Sequence, residues 1–302
     1  MPEENLKERL VRDGDLFCSL LFDQENGTLR VVDFFGGNHG RKERYLHNLH
    51  YSAGVRKVFT LVEYSEVAGW RQVGFRREGT VPGYYKRTDA HVMSKIFAPE
   101  SDTPPERQEL ERRAAFLAKM TTEGESLAAL RAGPSRCVPV DRTEAFAAIR
   151  SELGRIRSLL AKDVRRPKRE PESGAAAAFG QFGRDSERYY WVARHRRTNQ
   201  FNVFAAEYQE CFGNAKVSMY FAPRNRTGRS LACQGLRSFV RWLADIGTVA
   251  VFALIRANDP ARNLVFSAAG FQSGGWLRQQ VRREGALVDQ VLWTQKLSGP
   301  KE

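Results

Sequence analysis

Residues 214–297 decide the fold, and they read NAKVSMYFAPRNRTGRSLACQGLRSFVRWLADIGTVAVFALIRANDPARNLVFSAAGFQSGGWLRQQVRREGALVDQVLWTQKL. Residues 217–221 form a short run of strand-forming side chains, and residues 248–255 (TVAVFALI) form a nearly continuous apolar run, typical of a central strand covered on both faces. Between the two runs, apolar side chains recur at helical spacing: Leu231, Leu236, Phe239, Val240 and Leu243. The stretch therefore predicts a strand, an amphipathic helix and a buried strand.

A second helix is predicted to follow the buried strand. Asn258 precedes Asp259 and Pro260, so a capping side chain stands before a proline suited to the first turn. Gly270 and Phe271 end that helix, and residues 288–297 (VDQVLWTQKL) form the closing strand.

This order of elements resembles the acyl-CoA-binding half of the GNAT acetyltransferase superfamily, and within it most closely the β-lysine N-acetyltransferase family. The residues that carry the resemblance are Arg256, Ala257, Asn263, Phe266, Gly270 and Phe271. The resemblance rests on the order of several elements and covers most of residues 200–297.

The N-terminal half carries a fainter likeness to the same family. Residues 69–85 (GWRQVGFRREGTVPGYY), followed by Asp89 and Ala90, are similar to that family's N-terminal half, which forms a partial acetyltransferase-like domain. Gly74-Phe75 echoes Gly270-Phe271, and two half-similar units are what an ancient duplication would leave.

The resemblance implies an α/β (α+β) fold, a GNAT-like mixed sheet with flanking helices, in two tandem acetyltransferase-like units. The predicted units are a degenerate N-terminal unit over residues 1–98, a helical linker over 99–135, and a GNAT-like domain over 136–298. Residues 162–183, which are basic and then rich in Ala, Gly and Ser, are predicted to form a mobile loop in that domain.

Two expectations concern the start of the chain. Residues 1–15 are charged, and we expect a short helix or a frayed end there. Residues 16–22 and 28–35 are strand-like runs separated by a turn that ends in Asn26-Gly27, which predicts a β-hairpin.

Composition bounds the class of protein. The 302 residues are 42% hydrophobic, enough for a real core, and no apolar run reaches membrane-spanning length. We therefore expect a cytoplasmic protein without a membrane partner. The four cysteines lie far apart without metal-binding spacing, which favours reduced thiols over disulfides or a zinc site.

The formal charge of +13 has three explanations. An arginine-rich composition bias explains it without any ligand, attraction for the phosphates of coenzyme A is the second explanation, and a nucleic-acid surface is the third. The charge is spread along the chain instead of concentrated, which favours bias and coenzyme A over nucleic acid.

The resemblance implies that acetyl-CoA is the co-substrate and that its pyrophosphate lies at the N-terminus of the first helix of residues 214–297. Family members build this turn from closely spaced glycines, because a backbone without Cβ can approach phosphates closely. Here the candidate residues are Arg224, Arg226, Gly228 and Arg229, and only one is a glycine. Either the arginines replace backbone contacts with side-chain contacts, or they form a solvated turn and coenzyme binding is weakened or lost.

Asn263 is the candidate for contact with the pantetheine arm, because it matches the family pattern of Asn followed three residues later by an aromatic residue. Asn258 is interpreted as the helix cap. Phe266 stands where many superfamily members carry a tyrosine that protonates the leaving thiolate, which phenylalanine cannot do. We expect Asn263→Ala to weaken coenzyme binding without disturbing the fold.

Glu207 is the candidate general base, because it stands in the family's Ala-Glu context on a central strand. Its alternative interpretation is an exposed strand charge. The next strand carries Lys216 where the family tends to carry an acid that holds a cationic substrate, so a β-lysine-like acceptor is not assumed.

Other chemistry-bearing residues are weaker candidates. Tyr84, Tyr85, Asp89 and His91 are either part of an acceptor pocket between the units or ordinary packing. The sequence predicts no metal site, because no acid cluster accompanies the histidines at metal-binding spacing. Cys233 is interpreted as a buried structural thiol.

The sequence therefore predicts an acyl-CoA-dependent N-acetyltransferase that acts on the amine of a small molecule or an amino-acid-like acceptor. The alternative is a catalytically degenerate GNAT-fold protein that binds a ligand or partner. A nucleic-acid partner is supported by charge alone. The sequence does not specify the oligomeric state.

Overall fold

The computed structural model of the chain describes residues 6–14, 16–35, 39–97, 107–130, 135–160, 186–198 and 200–297. The predicted mobile loop at 162–183 lies outside the described residues. No helix among the described residues is both long and apolar enough to cross a membrane.

The described residues form thirteen strands and six helices. The strands are β1 (Leu6–Asp13), β2 (Leu16–Asp23), β3 (Thr28–Phe35), β4 (Lys57–Val62), β5 (Arg76–Val81), β6 (Ala90–Ile96), β7 (Ser135–Val140), β8 (Ser186–His195), β9 (Phe201–Gln209), β10 (Asn214–Met219), β11 (Ala250–Arg256), β12 (Gln272–Arg283) and β13 (Ala286–Lys296). The helices are α1 (His39–Ala53), α2 (Tyr64–Gln72), α3 (Arg107–Ala128), α4 (Arg142–Leu160), α5 (Arg226–Asp245) and α6 (Pro260–Ala268).

All thirteen strands belong to one sheet, in the order β1-β2-β3-β4-β6-β5-β12-β13-β11-β10-β9-β8-β7. Two neighbouring pairs are parallel, β3 with β4 and β10 with β11, and every other pair is antiparallel. A helix crosses over between the strands of each parallel pair, α1 in the first case and α5 in the second. The predicted α/β fold with a mixed sheet and flanking helices is confirmed.

The two halves of the sheet repeat one another. In each half a parallel pair is followed by a short helix, α2 or α6, and then by an antiparallel hairpin, β5–β6 or β12–β13. The two Gly-Phe pairs, Gly74-Phe75 and Gly270-Phe271, occupy equivalent turns in the two halves. Phe75 N donates to Trp70 O and Phe271 N donates to Phe266 O, each at the end of the short helix. The tandem arrangement follows from this repeated order, whereas the predicted unit boundaries stay a prediction.

The halves join where β5 meets β12, and equivalent glycines lie at the joint. Gly79 pairs with Gly275, and this is the one register position between the two strands. A Cβ on Gly275 would lie 2.3 Å from Glu78 O and 2.4 Å from Gly79 Cα, closer than real contacts allow. The backbones therefore approach each other only because neither residue has a side chain.

A buried ion pair lies next to this joint. Lys57 is fully buried, and its Nζ donates to Glu78 Oε2 and to Arg278 O, both at 2.6 Å. Glu78 Oε1 also accepts from Arg278 N at 3.1 Å, so the pair links the two halves. Burial lowers the pKa of the Lys57 ammonium, and the Glu78 carboxylate acts in the opposite direction.

Buried aromatic packing supports the joint on one face of the sheet. Tyr84 is fully buried against Phe252 and Phe212, and its hydroxyl donates to Gln209 Oε1 at 3.3 Å. Asn214 Nδ2 donates to Tyr84 O at 3.0 Å. Of the two interpretations of Tyr84, the geometry fits packing.

The helix predicted from the apolar spacing is α5, and all five of its marked side chains are buried. They pack against α3, α6 and the central strands of the C-terminal half. Strand β11 is buried on both faces at Phe252 and Ala253, as its apolar run predicts.

Two local expectations were wrong. Leu6–Asp13 forms a strand, β1, that pairs along its whole length with β2, where a helix or frayed end was expected. Asp259, not Asn258, caps α6, because its Oδ1 accepts from Arg262 N at 3.1 Å. The hairpin at Asn26-Gly27 is confirmed by the pairing of β2 with β3.

The glycine joint gives a stability prediction. Gly275→Ala is expected to lower the free energy of unfolding by about 3 kcal/mol, because the added Cβ forces β5 and β12 apart. Gly285→Ala is the matched control, since Gly285 also has a positive φ (85°) but a Cβ there would meet nothing within 4 Å. The control is expected to cost about 1 kcal/mol. Urea unfolding compares the two, and equal losses would contradict the close-approach explanation.

Candidate functional site

The central feature of the site is a fork between β10 and β11. Their parallel pairing covers three positions and ends at Lys216 opposite Phe252. Beyond it, β10 continues to Met219 paired only with β9, and β11 continues to Arg256 paired only with β13. Past Lys216 and Phe252, the two strands are therefore not paired with each other within the described residues. A crevice at the carboxyl ends of parallel strands is where open α/β sheets bind ligands.

Helix α5 begins at the open end of the fork. Asn225 caps it, since its Oδ1 accepts from Gly228 N at 2.8 Å and its carbonyl accepts from Arg229 N at 2.9 Å. The amide of the one glycine in the predicted phosphate turn is thus engaged by the helix cap. The positive end of the helix dipole remains at this place.

Three polar atoms near the start of α5 are buried without a hydrogen-bond partner among the described residues. They are Arg229 Nε, Ser230 Oγ and Gln200 Oε1. Ser230 is only 8% exposed, and Gln200 Oε1 lies 3.7 Å from where a Cβ on Gly228 would stand. Buried polar groups are nearly always satisfied, so these atoms indicate a place for a polar ligand or water.

The predicted phosphate residues separate into two groups. Arg224 and Arg226 are exposed, as a solvated turn requires, whereas Arg229 is half-buried. Ser230 and Gln200 were not predicted from the sequence, because no motif marks them. The only signal in the sequence is the place of Ser230 near the start of the predicted helix, since Gln200 directly precedes β9.

Asn263 lies behind the fork and is completely buried. Its Nδ2 donates to Arg256 O at 2.8 Å and to Asp259 O at 2.7 Å, and its Oδ1 accepts from Trp293 Nε1 at 2.7 Å. The side chain thereby connects the end of β11, the start of α6 and β13. Its predicted contact with coenzyme A stays a prediction.

These contacts change the outcome expected for Asn263→Ala. The substitution leaves Trp293 Nε1 without its partner, so we expect the free energy of unfolding to fall by about 2–3 kcal/mol. Asn258→Ala is the control, because Asn258 is exposed and a change there is expected to stay within about 0.5 kcal/mol. Chemical denaturation measures both, and an Asn263→Ala variant as stable as the wild type would refute the structural role.

Glu207 lies beside the fork on the face of the sheet away from α5. It is cross-strand neighbour to Lys216 on β10 and to Arg188 on β8. Its Oε2 accepts from Lys216 Nζ at 3.0 Å, and its Oε1 lies 3.4 Å from Arg188 Nη2. The three side chains form a row across three strands with one surplus positive charge. Lys216, which was expected to repel a cationic acceptor, is paired by the candidate base itself.

Arg262 on α6 extends to the open edge of β10. Its Nε donates to Met219 O at 3.2 Å and its Nη2 donates to Tyr220 O at 2.7 Å. Its Nη1 pairs with Asp259 Oδ2, the side chain that caps α6. No sequence pattern marks Arg262, because the two carbonyls that it contacts are more than forty positions away.

Three of the N-terminal candidates, Tyr85, Asp89 and His91, make hydrogen bonds within their own half. Tyr85 Oη donates to Leu61 O at 2.9 Å, and Asp89 Oδ1 accepts from Gly83 N at 2.8 Å. His91 contacts Thr80 Oγ1 at 3.2 Å, and burial together with the Arg77 charge lowers the pKa of its ring. Within the part of the chain that the structure describes, these hydrogen bonds do not reach the fork.

Phe266 and Cys233 offer no reactive group to the fork. Phe266 is fully buried edge-on against Phe271, with ring centroids 5.0 Å apart. Cys233 is buried in the same cluster, and burial raises the pKa of its thiol, which keeps it protonated. Within the described residues, no group of three His, Cys, Asp or Glu side chains is placed to hold a metal ion.

Comparison with known proteins gives similarity at the level of structure alone. No family model matches the chain, and no curated protein matches it. Similar solved structures include the ribosomal-protein-S5-alanine acetyltransferase from Vibrio fischeri, with 15% identity and a TM-score of 0.42 over 57% of this chain and 98% of that chain.

Two further solved structures are similar to this chain. A spermidine N-acetyltransferase from Vibrio cholerae, in complex with CoA and spermine, has 11% identity and a TM-score of 0.39 over 55% of this chain and 97% of that one. A putative phosphinothricin N-acetyltransferase has 18% identity and a TM-score of 0.38 over 55% and 99%. The activity and the acceptor proposed for this chain therefore rest on the geometry of its own site.

Proposed function

We propose that the protein is an acyl-CoA-dependent N-acetyltransferase of the GNAT type, acting on the amine of a small or amino-acid-like acceptor. The observation that carries the proposal is the fork between β10 and β11 with the start of α5 at its open end. A fork between two strands that are no longer paired with each other suits an extended ligand that carries amide groups, because strand edges bind extended chains by backbone hydrogen bonds.

The residues at the start of α5 fit a phosphate-bearing co-substrate. Arg229 Nε and Ser230 Oγ are donors without a partner among the described residues, and the helix dipole favours an anion there. The amide of Gly228 is engaged by Asn225, so side-chain contacts replace the backbone contacts that a glycine-rich turn would supply. Acetyl-CoA is the co-substrate that these features support.

The proposed reaction is direct transfer. The neutral amine attacks the thioester carbonyl carbon, a C–N bond forms, the C–S bond breaks and the coenzyme leaves as a thiolate. The amine loses one proton to a base, and the thiolate takes one proton from water, since Phe266 has no proton to give. Glu207 is the proposed base, acting through water, although both of its oxygens already face cations.

The charge row beside the fork bears on the acceptor. Arg188, Glu207 and Lys216 carry one surplus positive charge, which favours an acceptor with a carboxylate of its own. An amino-acid-like amine meets that condition better than a polyamine. The β-lysine family's substrate is compatible through its carboxylate and is disfavoured by its second amine.

Binding of acetyl-CoA is the first test. We expect acetyl-CoA to raise the melting temperature, because a ligand that binds only the folded state stabilises it. Arg229→Ala is expected to weaken binding about tenfold or more, since it removes a charge-assisted contact. Arg241→Ala on the exposed side of α5 is the control and should bind like the wild type. The absence of any shift at saturating acetyl-CoA would refute the proposal.

Glu207→Gln tests the base. With acetyl-CoA and a panel of amino acids as acceptors, we expect kcat to fall about 100-fold while the KM for acetyl-CoA is unchanged. Glu210→Gln, at an exposed position near the end of the same strand, is the control. Melting curves are needed first, because the substitution also weakens the pairing of Lys216. A variant with unchanged kcat would remove Glu207 from the reaction.

A second function is favoured by one observation. Arg262 already hydrogen-bonds to the edge of β10 that an entering ligand would use. A protein whose fork is permanently occupied would keep the GNAT fold and bind a ligand or partner elsewhere without catalysis. Acetyl-CoA binding without turnover of any amine, or no binding at all, would favour this alternative.

A further inference from the structure

Arg262 is an occupant of the fork supplied by the chain itself. Its guanidinium donates from two nitrogens to two successive carbonyls, Met219 O and Tyr220 O, just past the end of the β10–β11 pairing. Tyr220 N donates to Val203 O at 3.0 Å, so the chain just past β10 is still held to β9 at this point. The Arg262 side chain occupies the two carbonyls Met219 O and Tyr220 O at this end of β10.

The chemistry of these contacts is that of an amide-bearing ligand. A backbone carbonyl at a strand edge accepts hydrogen bonds, and an extended ligand with amide N–H groups supplies donors of the same kind. The Arg262 guanidinium supplies the same donors from within the protein. Ligand and side chain then compete for the same two carbonyls.

The contact of the Arg262 guanidinium with Asp259 is separate from the cap of α6. Its Nη1 pairs with Asp259 Oδ2, and Arg256 Nη2 lies 3.9 Å from the same oxygen. Asp259 also accepts from Arg262 N through its other oxygen, so the helix cap does not depend on the guanidinium. When Arg262 moves away, Asp259 keeps both a cationic neighbour and its cap.

We propose that Arg262 is a gate residue: with these contacts made its side chain closes the fork, and it has to swing away before the amide-bearing arm of the co-substrate enters. This inference rests on the proposed function. On this proposal, the contacts of Arg262 lower the affinity for coenzyme A, because binding must first break the hydrogen bonds to Met219 O and Tyr220 O. Removal of the guanidinium should tighten binding.

The test measures coenzyme A binding by titration calorimetry on the full chain. Arg262→Ala is expected to bind coenzyme A about tenfold more tightly than the wild type, as the loss of two competing hydrogen bonds implies. The affinity of Arg262→Lys for coenzyme A is expected to lie between those of the wild type and Arg262→Ala. The lysine ammonium is a single compact group, so it cannot contact both carbonyls and Asp259 as the planar guanidinium does.

Arg237→Ala is the matched control. Arg237 Nη2 likewise donates to a backbone carbonyl, Ala268 O, at 2.7 Å, but it lies on α5 away from the fork. This variant loses a similar contact and should bind coenzyme A like the wild type. Melting curves of all variants show whether each is folded before binding is compared.

The outcomes separate the gate from the proposed function. Tighter binding by Arg262→Ala, with Arg237→Ala unchanged, supports the gate. Equal or weaker binding by a folded Arg262→Ala overturns the gate and leaves the proposed function standing, provided that the wild type binds. Lack of binding by the wild type and by both folded Arg262 variants overturns the gate and the proposed function together. If Arg262→Ala does not fold, Arg262→Lys decides by the same criteria.

Discussion

The close approach of two backbones at Gly79 and Gly275 is the constraint on which the rest of the structure depends. Because no side chain separates them, β5 and β12 join two similar halves into one sheet. The buried pair of Lys57 on β4 with Glu78 on β5 and the cluster around Tyr84 then pack beside the joint. A buried ion pair contributes little net stability, but a partner removed from it leaves an uncompensated charge. Such a pair therefore favours this arrangement of the halves over others.

The same sheet creates the fork. A parallel pair needs a crossover helix, and the helix starts where the two strands separate. In the C-terminal half this leaves strand edges, a helix start and unpartnered polar atoms in one place. In the N-terminal half, the aromatic rings of Phe34 and Trp70 lie against each other, and Lys42 donates to Phe34 O. The corresponding regions of the two halves therefore make different side-chain contacts.

Much of the C-terminal half could be predicted from the sequence, because its apolar spacing reports burial directly. The five side chains of α5 and the apolar run of β11 did so. Strand β1 was missed because LKERLVRD places charged and apolar residues on both faces, without the alternation of a half-buried strand. The helix cap was assigned one residue too early, since both Asn258 and Asp259 are suitable caps and only backbone geometry separates them.

The candidate site was harder to predict. The sequence predicts separate roles for Glu207 and Lys216, whereas strand register places them together as an ion pair. Arg262, Ser230 and Gln200 carry no motif, and they matter only because folding brings distant backbone to them. Asn263 matches a family pattern, yet all the hydrogen bonds found for it are made within the protein. A sequence pattern indicates that a residue type is required at a position, but it does not identify the group that the side chain contacts.

The outer strands of the sheet have a consequence for how the protein behaves at high concentration. A sheet that was lengthened by joining two halves through strand edges still has two outer strands among the described residues, β1 and β7, where further copies could add and form fibres. Strand β1 carries Glu8, Arg9 and Arg12, and β7 contains Pro139, which has no N–H to donate. Charge at one end and a missing donor at the other therefore protect the molecule against polymerisation.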